Sequence, residues 1–337
     1  MRRTLSIKII ICLVLLFNEL SREICKAQDL LGLGFMQKKV EIPVIMGKYK
    51  HILDPPGQTL TNAPKGSWYI NDHCFFVEKN GKIHWFGINN PYVAKGEDPY
   101  GPGSHRYIGH AVADEPFGPW TACEPALQLD ANDKSGNIGA CFVIEKDGKY
   151  LMYYNHSGST YIAESFDLYK WQPIKTVGKI ALNGENQRDP CIIHYNKDLL
   201  LYAAGGYDNI AAILLSKSND GLQWKSDKPV LRAFNLKESW GMLESPFVLK
   251  HQGIYYLFVN NSHHQYQETL VFVSDNPFAF DWNKPLCTLF SHAAEIFEWN
   301  DKTYISHCGI EDEHWRWHDT GEPSGLYLAE LNWINPK

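Results

Sequence analysis

The sequence predicts an all-β fold, a five-bladed β-propeller, and three observations support it: a repeat, the periodicity inside the repeat, and the composition. Five segments of roughly fifty residues share one plan, in which a strand, a short turn, a second strand rich in Tyr, Leu and Phe, and a third strand precede a tryptophan. The closing tryptophans are Trp120, Trp171, Trp224, Trp282 and Trp333. Short strands separated by Gly, Asp and Asn turns favour antiparallel sheets, and one such sheet per repeat has the size of a propeller blade.

The composition agrees with a β architecture. Of the 337 residues, 13% are aromatic and 26 are glycine, and no long segment has a helical period. Five blades occupy the chain from about residue 40 to its end, so we expect a single domain over 28–337. The stretch 28–47 is expected to lead in and to supply an edge strand that helps close the ring. A β-sandwich is the alternative, but it does not explain a tryptophan at the end of every repeat.

The first 27 residues have the form of a signal peptide. A basic segment, 1–8, precedes an apolar run, 9–17, that is too short to span a bilayer. Ala27 offers a small residue before a cleavage site, which predicts a periplasmic or extracellular protein. A lipid anchor at Cys25 is the less favoured alternative. No later stretch reaches transmembrane length.

The charge balance argues against two classes of partner. The formal net charge is −6, and residues 1–27 carry five basic and two acidic residues, so their removal changes the charge to −9. An acidic surface without basic runs is unsuited to nucleic acid or to an anionic membrane. The oligomeric state is not encoded in any pattern of the sequence that we identify.

The repeats provide a register that singles out one position in each blade. Counting nine residues back from the turn residue of each repeat reaches Asp72, Gly139, Asp189, Glu244 and His292. The first strand of each propeller blade lines the central channel, so these positions are expected to converge at one mouth. Capping of turns is the alternative explanation. Converging carboxylates raise one another's pKa, which folds tolerate mainly at functional sites.

Three carboxyl groups around one mouth match the requirements of glycoside hydrolysis. That reaction needs one protonated and one ionised carboxyl group across the scissile bond. A third can hold sugar hydroxyls and tune the acid. A metal site is the competing interpretation, because carboxylates and histidine bind calcium and transition metals. We expect no required cofactor and no metal among the site residues, since carboxylates on separate blades leave a wide funnel; a structural calcium deeper in the channel stays open.

The segments around Asp72, Asp189 and Glu244 resemble the motifs of the five-bladed propeller glycosidases, glycoside hydrolase families 43 and 32. Residues 68–72 (WYIND) resemble the first-blade motif of family 32, in which the aspartate is the nucleophile. Arg-Asp-Pro at 188–190 resembles the motif that grips sugar hydroxyls and stabilises the transition state. Glu-Ser-Pro at 244–246 resembles the motif that carries the general acid, and the stretch that follows it is more similar to family 43.

The resemblance implies an exported glycosidase with Asp72, Asp189 and Glu244 as catalytic residues, acting on arabinose-, xylose- or fructose-type units of plant or microbial oligo- or polysaccharides. His-Cys follows Asp72 where fructosidases have Pro-Asn-Gly. This departure favours an inverting enzyme in which Asp72 is a base that acts through water. A retaining, fructosidase-like enzyme with Asp72 as nucleophile is the alternative. A carbohydrate-binding propeller without activity and a protein-interaction propeller are hypotheses from other classes.

Five further residues are predicted to contact the sugar, and they are Trp68, Asn71, Arg188, Trp240 and His292. Each of the two tryptophans precedes a carboxylate of the site by four residues, and each can stack on a sugar ring or pack between blades. Arg188 offers a bidentate donor beside Asp189. His292 occupies the fifth-blade register position, where a structural role is the alternative.

Overall fold

The computed structural model describes residues 40–59, 68–91, 104–130, 136–238, 242–309 and 325–336. In these ranges the chain forms five antiparallel sheets of four or five strands, and the one helical element is a 3-10 helix at Pro56–Thr59. No helix in the described part of the chain is long and apolar enough to cross a membrane. The predicted all-β, five-bladed β-propeller is therefore confirmed.

The strands of the first three blades follow one another along the chain. The first blade contains β2 (Trp68–Val77), β3 (Ile83–Pro91), β4 (Tyr107–Ala113), β5 (Thr121–Ala122) and β6 (Leu127–Gln128). The second contains β7 (Ile138–Lys146), β8 (Lys149–His156), β9 (Ser159–Ser165) and β10 (Gln172–Pro173). The third contains β11 (Glu185–Tyr195), β12 (Asp198–Tyr207), β13 (Ile210–Ser218), β14 (Lys225–Ser226) and β15 (Leu231–Lys237).

The last two blades join the two ends of the described chain. The fourth blade contains β16 (Glu244–His251), β17 (Ile254–Asn260), β18 (Glu268–Ser274) and β19 (Cys287–Phe290). The fifth contains β20 (Ile296–Trp299), β21 (Lys302–Gly309), β22 (Gly325–Ile334) and β1 (Ile42–Leu53). Because β1 pairs with β22, the first strand of the chain closes the ring, as expected for an edge strand near residue 47. Residues 28–39 lie outside the described ranges.

The second strand is the most deeply buried in four of the five blades, and its sequence explains why. Strand β17, for example, reads IYYLFVN, and every one of its residues is buried. A continuous apolar run of this length is typical of a strand that is covered on both faces. In a propeller both faces of a sheet pack against neighbouring blades, so the middle strands form the core and only the outer strands alternate.

The closing tryptophans are equivalent in three blades and different in the last two. In three cases the indole N–H donates to a backbone carbonyl three or four residues earlier, at 3.0–3.2 Å: Trp120 to Pro116, Trp171 to Leu168 and Trp224 to Gly221. Trp282 instead donates to the Asn235 side chain at 2.7 Å. Trp333 lies within β22 and stacks on His251, with ring centroids 4.1 Å apart. The fifth blade needs no closing turn there, because β22 continues as far as Ile334 to pair with β1.

A β-bulge interrupts the first strand of blades one to four near the channel mouth. In each of them two residues oppose one residue of the second strand, which breaks the ladder and turns the side chains. Non-glycine residues with positive φ lie in the bulges of three blades, Ala140 in the second, Asn186 and Asp189 in the third and Ser245 in the fourth, and Ala293 before β20 of the fifth blade also has a positive φ. This left-handed backbone is uncommon for such residues. Its repetition at one place in four blades marks the mouth of the channel as a specialised region.

The predicted register is wrong in the third blade. Gly139 and Glu244 each pair with the residue sixteen positions later, and in the third blade the residue that does so is Arg188 rather than Asp189. The two-residue turn of this blade is 196–197, so Asp198 already belongs to the second strand. A count that starts from Asp198 is therefore displaced by one residue, and Asp189 lies inside the bulge.

The register is also displaced in the first blade. Val77 pairs with Ile83, so the turn between β2 and β3 is longer than in the other blades, and Ile70 takes the equivalent position. Asp72 is the second residue of the bulge, Asp189 is the first residue of its own bulge, and Glu244 precedes the bulge of β16. The three carboxylates thus occupy three different positions relative to the β-bulge of their strands.

The start of β1 is held by a single hydroxyl group, which allows a test of ring closure. The hydroxyl of Tyr256 in the fourth blade donates to the Glu41 carbonyl at 2.8 Å and accepts from the Glu41 N–H at 2.9 Å. We expect Tyr256→Phe to lower the free energy of unfolding by about 1–3 kcal/mol, because two backbone groups lose their partner. Urea midpoints measure the loss. Tyr255→Phe is the control, since that hydroxyl has no hydrogen bond to described residues; equal midpoints for the two variants would contradict the prediction.

Candidate active site

A cavity lies where the first strands of the five blades meet, and every blade contributes to its wall. Its lining consists of Asp72, His73, Ala140, Cys141, Asp189, Pro190, Ser245, Pro246, Ala293 and Glu295. The bulges account for most of these residues, because they turn side chains and backbone toward the axis. The carboxyl groups in this lining are those of Asp72, Asp189 and Glu295, whereas Glu244 lies beside the cavity, next to Ser245.

Asp72 lies in the bulge of β2 and is tied to the fourth blade. The Ser245 hydroxyl donates a hydrogen bond to Asp72 Oδ1. Burial and, to a smaller extent, the Glu244 carboxylate raise the pKa of Asp72 to about 6, although the Ser245 hydroxyl and Arg188 oppose the rise. Asp72 is therefore ionised at neutral pH, yet it holds a proton more strongly than an ordinary aspartate does.

Asp189 lies deeper in the same space, with 9% of its surface exposed. The Ser245 N–H donates to Asp189 Oδ2 at 3.0 Å, so that one serine contacts Asp189 through its backbone and Asp72 through its side chain. Burial and the Asp72 carboxylate raise the pKa of Asp189 well above its usual range, and the Arg188 guanidinium counteracts part of the rise. Two neighbouring carboxyls with unequal surroundings are typical of sites that transfer protons.

Glu244 stands nearer to the mouth, and its side chain is 21% exposed. Ser262 donates a hydrogen bond to Glu244 Oε2 at 2.6 Å, and Arg188 Nε lies 3.9 Å from Oε1. Both carboxyl oxygens thus have a defined neighbour. This position lets Glu244 exchange a proton with a group that enters from the mouth, while Asp72 and Asp189 face the same space from other blades.

Arg188 is the buried cation among these acids, with 2% of its side chain exposed. It donates to the backbone carbonyls of Asn186 at 3.0 Å and Leu243 at 2.8 Å. Its guanidinium nitrogens lie 3.4 Å from Glu238, 3.8 Å from Asp189 and 3.9 Å from Glu244. The described contacts of Arg188 are therefore to the protein, and its predicted contact with the sugar stays a prediction.

Asn71 and His292 are brought together by a third residue, Tyr266. The ring nitrogens of His292 lie 2.9 Å from the Tyr266 carbonyl and 3.0 Å from Asn71 Oδ1. The Tyr266 ring stacks on His292 with centroids 3.5 Å apart, and its hydroxyl is 3.2 Å from Asn71 Oδ1. Burial lowers the pKa of His292 well below its usual value. His292 thus lies between the Tyr266 carbonyl and Asn71, the residue that precedes Asp72.

The two tryptophans predicted to stack on a sugar have different outcomes. Trp68 is 1% exposed and packs against Tyr107 with ring centroids 5.4 Å apart. This contact is with the same blade rather than between blades, and the role of Trp68 as a subsite stays a prediction. Trp240 lies outside the described residues.

Four residues of the site were not assigned a role from the sequence: Glu238, Ser262, Tyr266 and Glu295. Glu238 and Ser262 lie in connections between strands, where no periodicity points to the channel. Glu295 lines the cavity, and burial raises its pKa well above the usual range. An acidic residue inside the apolar first-strand stretch AAEIF was the available signal, and counting forward from His292 could have found it.

Possible metal ligands and the state of the cysteines can be compared with the predictions in the described ranges. There, no group of three His, Cys, Asp or Glu is arranged to hold a metal ion, and calcium in the channel stays a prediction. The six cysteines in the described ranges are free thiols. Cys74 and Cys141 are buried with sulfurs 4.0 Å apart, as expected of small side chains in a core.

A propeller whose channel mouth carries several carboxyl groups in unequal surroundings has the fold and the acid–base groups of a glycoside hydrolase. The chain belongs to glycosyl hydrolases family 43, whose family model matches residues 117–292. The match runs from the end of the first blade to His292 in the fifth. It includes Asp189 and Glu244, and it leaves Asp72 outside.

Solved structures with the same fold come from several glycoside hydrolase families. Zg3597, a family 117 glycoside hydrolase of Zobellia galactanivorans, is 14% identical with a TM-score of 0.63, covering 87% of this chain and 91% of that one. CoXyl43, a GH43 β-xylosidase/α-arabinofuranosidase from a compost metagenome, is 17% identical with a TM-score of 0.59, covering 86% and 96%. The GH32 β-fructofuranosidase BmSUC1 of Bombyx mori is 16% identical with a TM-score of 0.59; the match covers 84% of this chain but only 62% of BmSUC1. A comparison with curated protein sequences gives no match.

The raised pKa of Asp72 predicts that this residue destabilises the folded protein at neutral pH. The unfolded chain releases this proton near pH 4 and the folded chain near pH 6, so ionisation favours unfolding as the pH rises between them. Relative to the parent, Asp72→Asn should gain little stability at pH 4 and about 3 kcal/mol at pH 7. Urea unfolding at both values measures the difference, with the exposed Asp301→Asn as control. A gain that is the same at pH 4 and pH 7 would refute the electrostatic account.

Proposed function

We propose that the protein is an inverting glycosidase that removes arabinose- or xylose-type units from plant or microbial oligo- or polysaccharides. The observation that carries the proposal is the division of surroundings between Asp72, which faces the enclosed cavity, and Glu244, which reaches the mouth. Hydrolysis needs such a pair, one member ionised and the other protonated. The name of CoXyl43, a β-xylosidase/α-arabinofuranosidase with the same fold, supports these sugars.

In the proposed reaction the sugar to be released lies in the cavity with its glycosidic oxygen toward the mouth. Ionised Asp72 takes a proton from a water molecule, and the water oxygen attacks the anomeric carbon. The bond to the leaving oxygen breaks as Glu244 gives that oxygen its proton. Asp189 contacts the sugar hydroxyls, and Arg188 stabilises the negative charge that proton donation leaves on Glu244. The product is a free sugar of inverted anomeric configuration.

Turnover with and without Glu244 tests the enzyme class. We expect hydrolysis of at least one 4-nitrophenyl glycoside in a panel of arabinofuranosides and xylopyranosides, with sucrose added for the fructose-type alternative. Glu244→Gln and Asp72→Asn should each lower kcat by about 10²–10⁴-fold, because each removes one proton transfer. Asp189→Asn should also raise KM. Glu164→Gln, at the edge of the second blade, is the matched control. Binding of sugars without turnover would support the carbohydrate-binding alternative and overturn the proposed reaction.

The anomer released first distinguishes inversion from retention. Proton NMR during the first turnovers should show the anomer opposite to that of the substrate, because a water rather than Asp72 attacks the sugar. Early appearance of the substrate's own configuration would make Asp72 a nucleophile and favour the retaining, fructosidase-like alternative.

The pH profile tests the role of Ser245 in holding Asp72 ionised. If Asp72 is the base, kcat/KM should rise with pH through about 6, which is the pKa of that carboxyl. Ser245→Ala removes a hydrogen bond that favours the ionised form, so the pKa and the acidic limb should move to higher pH. Ser245→Cys, which keeps a weak donor and adds no branch at Cβ on this left-handed backbone, should move the limb less than Ser245→Ala. If the acidic limb of the pH profile stays at the same pH in Ser245→Ala, Asp72 is not the base.

We also propose that residues 1–27 direct export and are removed. N-terminal sequencing of the protein from a secreting host would show a mature chain that starts near Gln28. A lipid-modified Cys25 would favour the anchored alternative.

A further inference from the structure

We propose that Ser262 is the positioning residue of the general acid: it orients Glu244 so that Oε1 is the oxygen that carries the proton to the leaving group. The inference rests on the glycosidase function proposed above. It adds the residue that determines which oxygen of Glu244 donates the proton. It is carried by a chain of hydrogen bonds that runs from the backbone of the fifth blade to the carboxyl group.

The chain of hydrogen bonds begins at Asn260, which is 1% exposed. The Ala293 N–H donates to Asn260 Oδ1 at 2.9 Å, and Asn260 Nδ2 donates to the Tyr266 carbonyl at 2.7 Å. A backbone N–H can only donate and a carbonyl oxygen can only accept. Its two backbone neighbours therefore fix which end of the Asn260 amide is the oxygen and which is the nitrogen.

The fixed amide sets the direction of the next hydrogen bond. Asn260 Nδ2 also donates to Ser262 Oγ at 3.1 Å, which occupies a lone pair of that oxygen. A serine hydroxyl has one hydrogen, and here it points to Glu244 Oε2 at 2.6 Å. Because Oε2 accepts this hydrogen bond, the proton of the neutral acid resides on Oε1.

The surroundings of Oε1 suit an oxygen that gives its proton away. Arg188 Nε lies 3.9 Å from Oε1 and favours the carboxylate that remains after transfer. Ser262 is uncharged, so its contribution is geometric and should appear only when a proton has to be delivered.

The connection that carries Ser262 is held at both of its ends. We call residues 261–267, between β17 and β18, the blade-four loop. At the far end of the blade-four loop the Tyr266 ring stacks on His292, and its hydroxyl lies 3.2 Å from Asn71 Oδ1. One short loop therefore contacts the acid through Ser262 and the neighbour of the base through Tyr266, which limits the freedom of both.

A purely structural role and a positioning role for Ser262 predict different results. Substrates with different leaving groups distinguish these two roles. A 2,4-dinitrophenolate leaves without protonation, whereas an alkoxide needs the acid. On a methyl glycoside of the sugar that the wild type hydrolyses, Ser262→Ala should lower kcat by about 10–100-fold, the usual effect of a hydrogen bond to a charged group. On the 2,4-dinitrophenyl glycoside the loss should stay below about threefold. Ser262→Thr should restore the methyl glycoside rate.

Two controls complete the comparison. Gln265→Ala changes an exposed side chain of the blade-four loop and should match the wild type on both substrates. If Ser262→Ala does not fold, as judged by circular dichroism, Ser262→Cys provides a weak donor of similar size. Equal losses on the two leaving groups, or none on either, would overturn the positioning role while leaving the glycosidase function intact. A wild type that hydrolyses neither glycoside would instead overturn the function and this inference with it.

Discussion

The burial of one guanidinium group allows several acids to share the mouth of the channel. Arg188 lies within 4 Å of Asp189, Glu238 and Glu244, and it is almost completely removed from solvent. An isolated charge in that position would be strongly destabilising, and so would the carboxylates without it. Two backbone carbonyls hold the guanidinium in place, so its position does not depend on the acids that it neutralises. The arrangement can therefore persist when a proton leaves Glu244.

The β-bulges provide the geometry that brings these charged groups together. A regular strand points alternate side chains at opposite faces of its sheet, and neither face of a propeller blade looks along the channel. The extra residue turns the chain at the end nearest the axis, which lets Asp72, Asp189 and the Ser245 backbone meet. Because the bulges sit on first strands held by the ring, their separation is set by the whole propeller rather than by any single blade.

Ring closure and the site are thus linked through packing. Strand β1 completes the fifth blade by pairing with β22, and its start is held by Tyr256 of the fourth. The fourth blade also carries Glu244 and the blade-four loop. Strand β1, which is distant in sequence from Glu244, therefore stabilises the blade that carries this acid. The site becomes more rigid through residues that do not line it.

The sequence alone determined the repeat, the all-β class and the ring of five blades, because these follow from local periodicity and turn chemistry. It also singled out Asp72, Asp189 and Glu244 as candidates, because the repeat register places the first two within one or two residues of the position that Glu244 occupies. Only the tertiary structure decided the true register, because the turn lengths that displaced the count become visible when strands are paired. It also decided the burial of Trp68 and the parts played by Glu238, Ser262, Tyr266 and Glu295. Those side chains reach the site across blades, and contacts between residues distant in sequence leave no periodic trace in it.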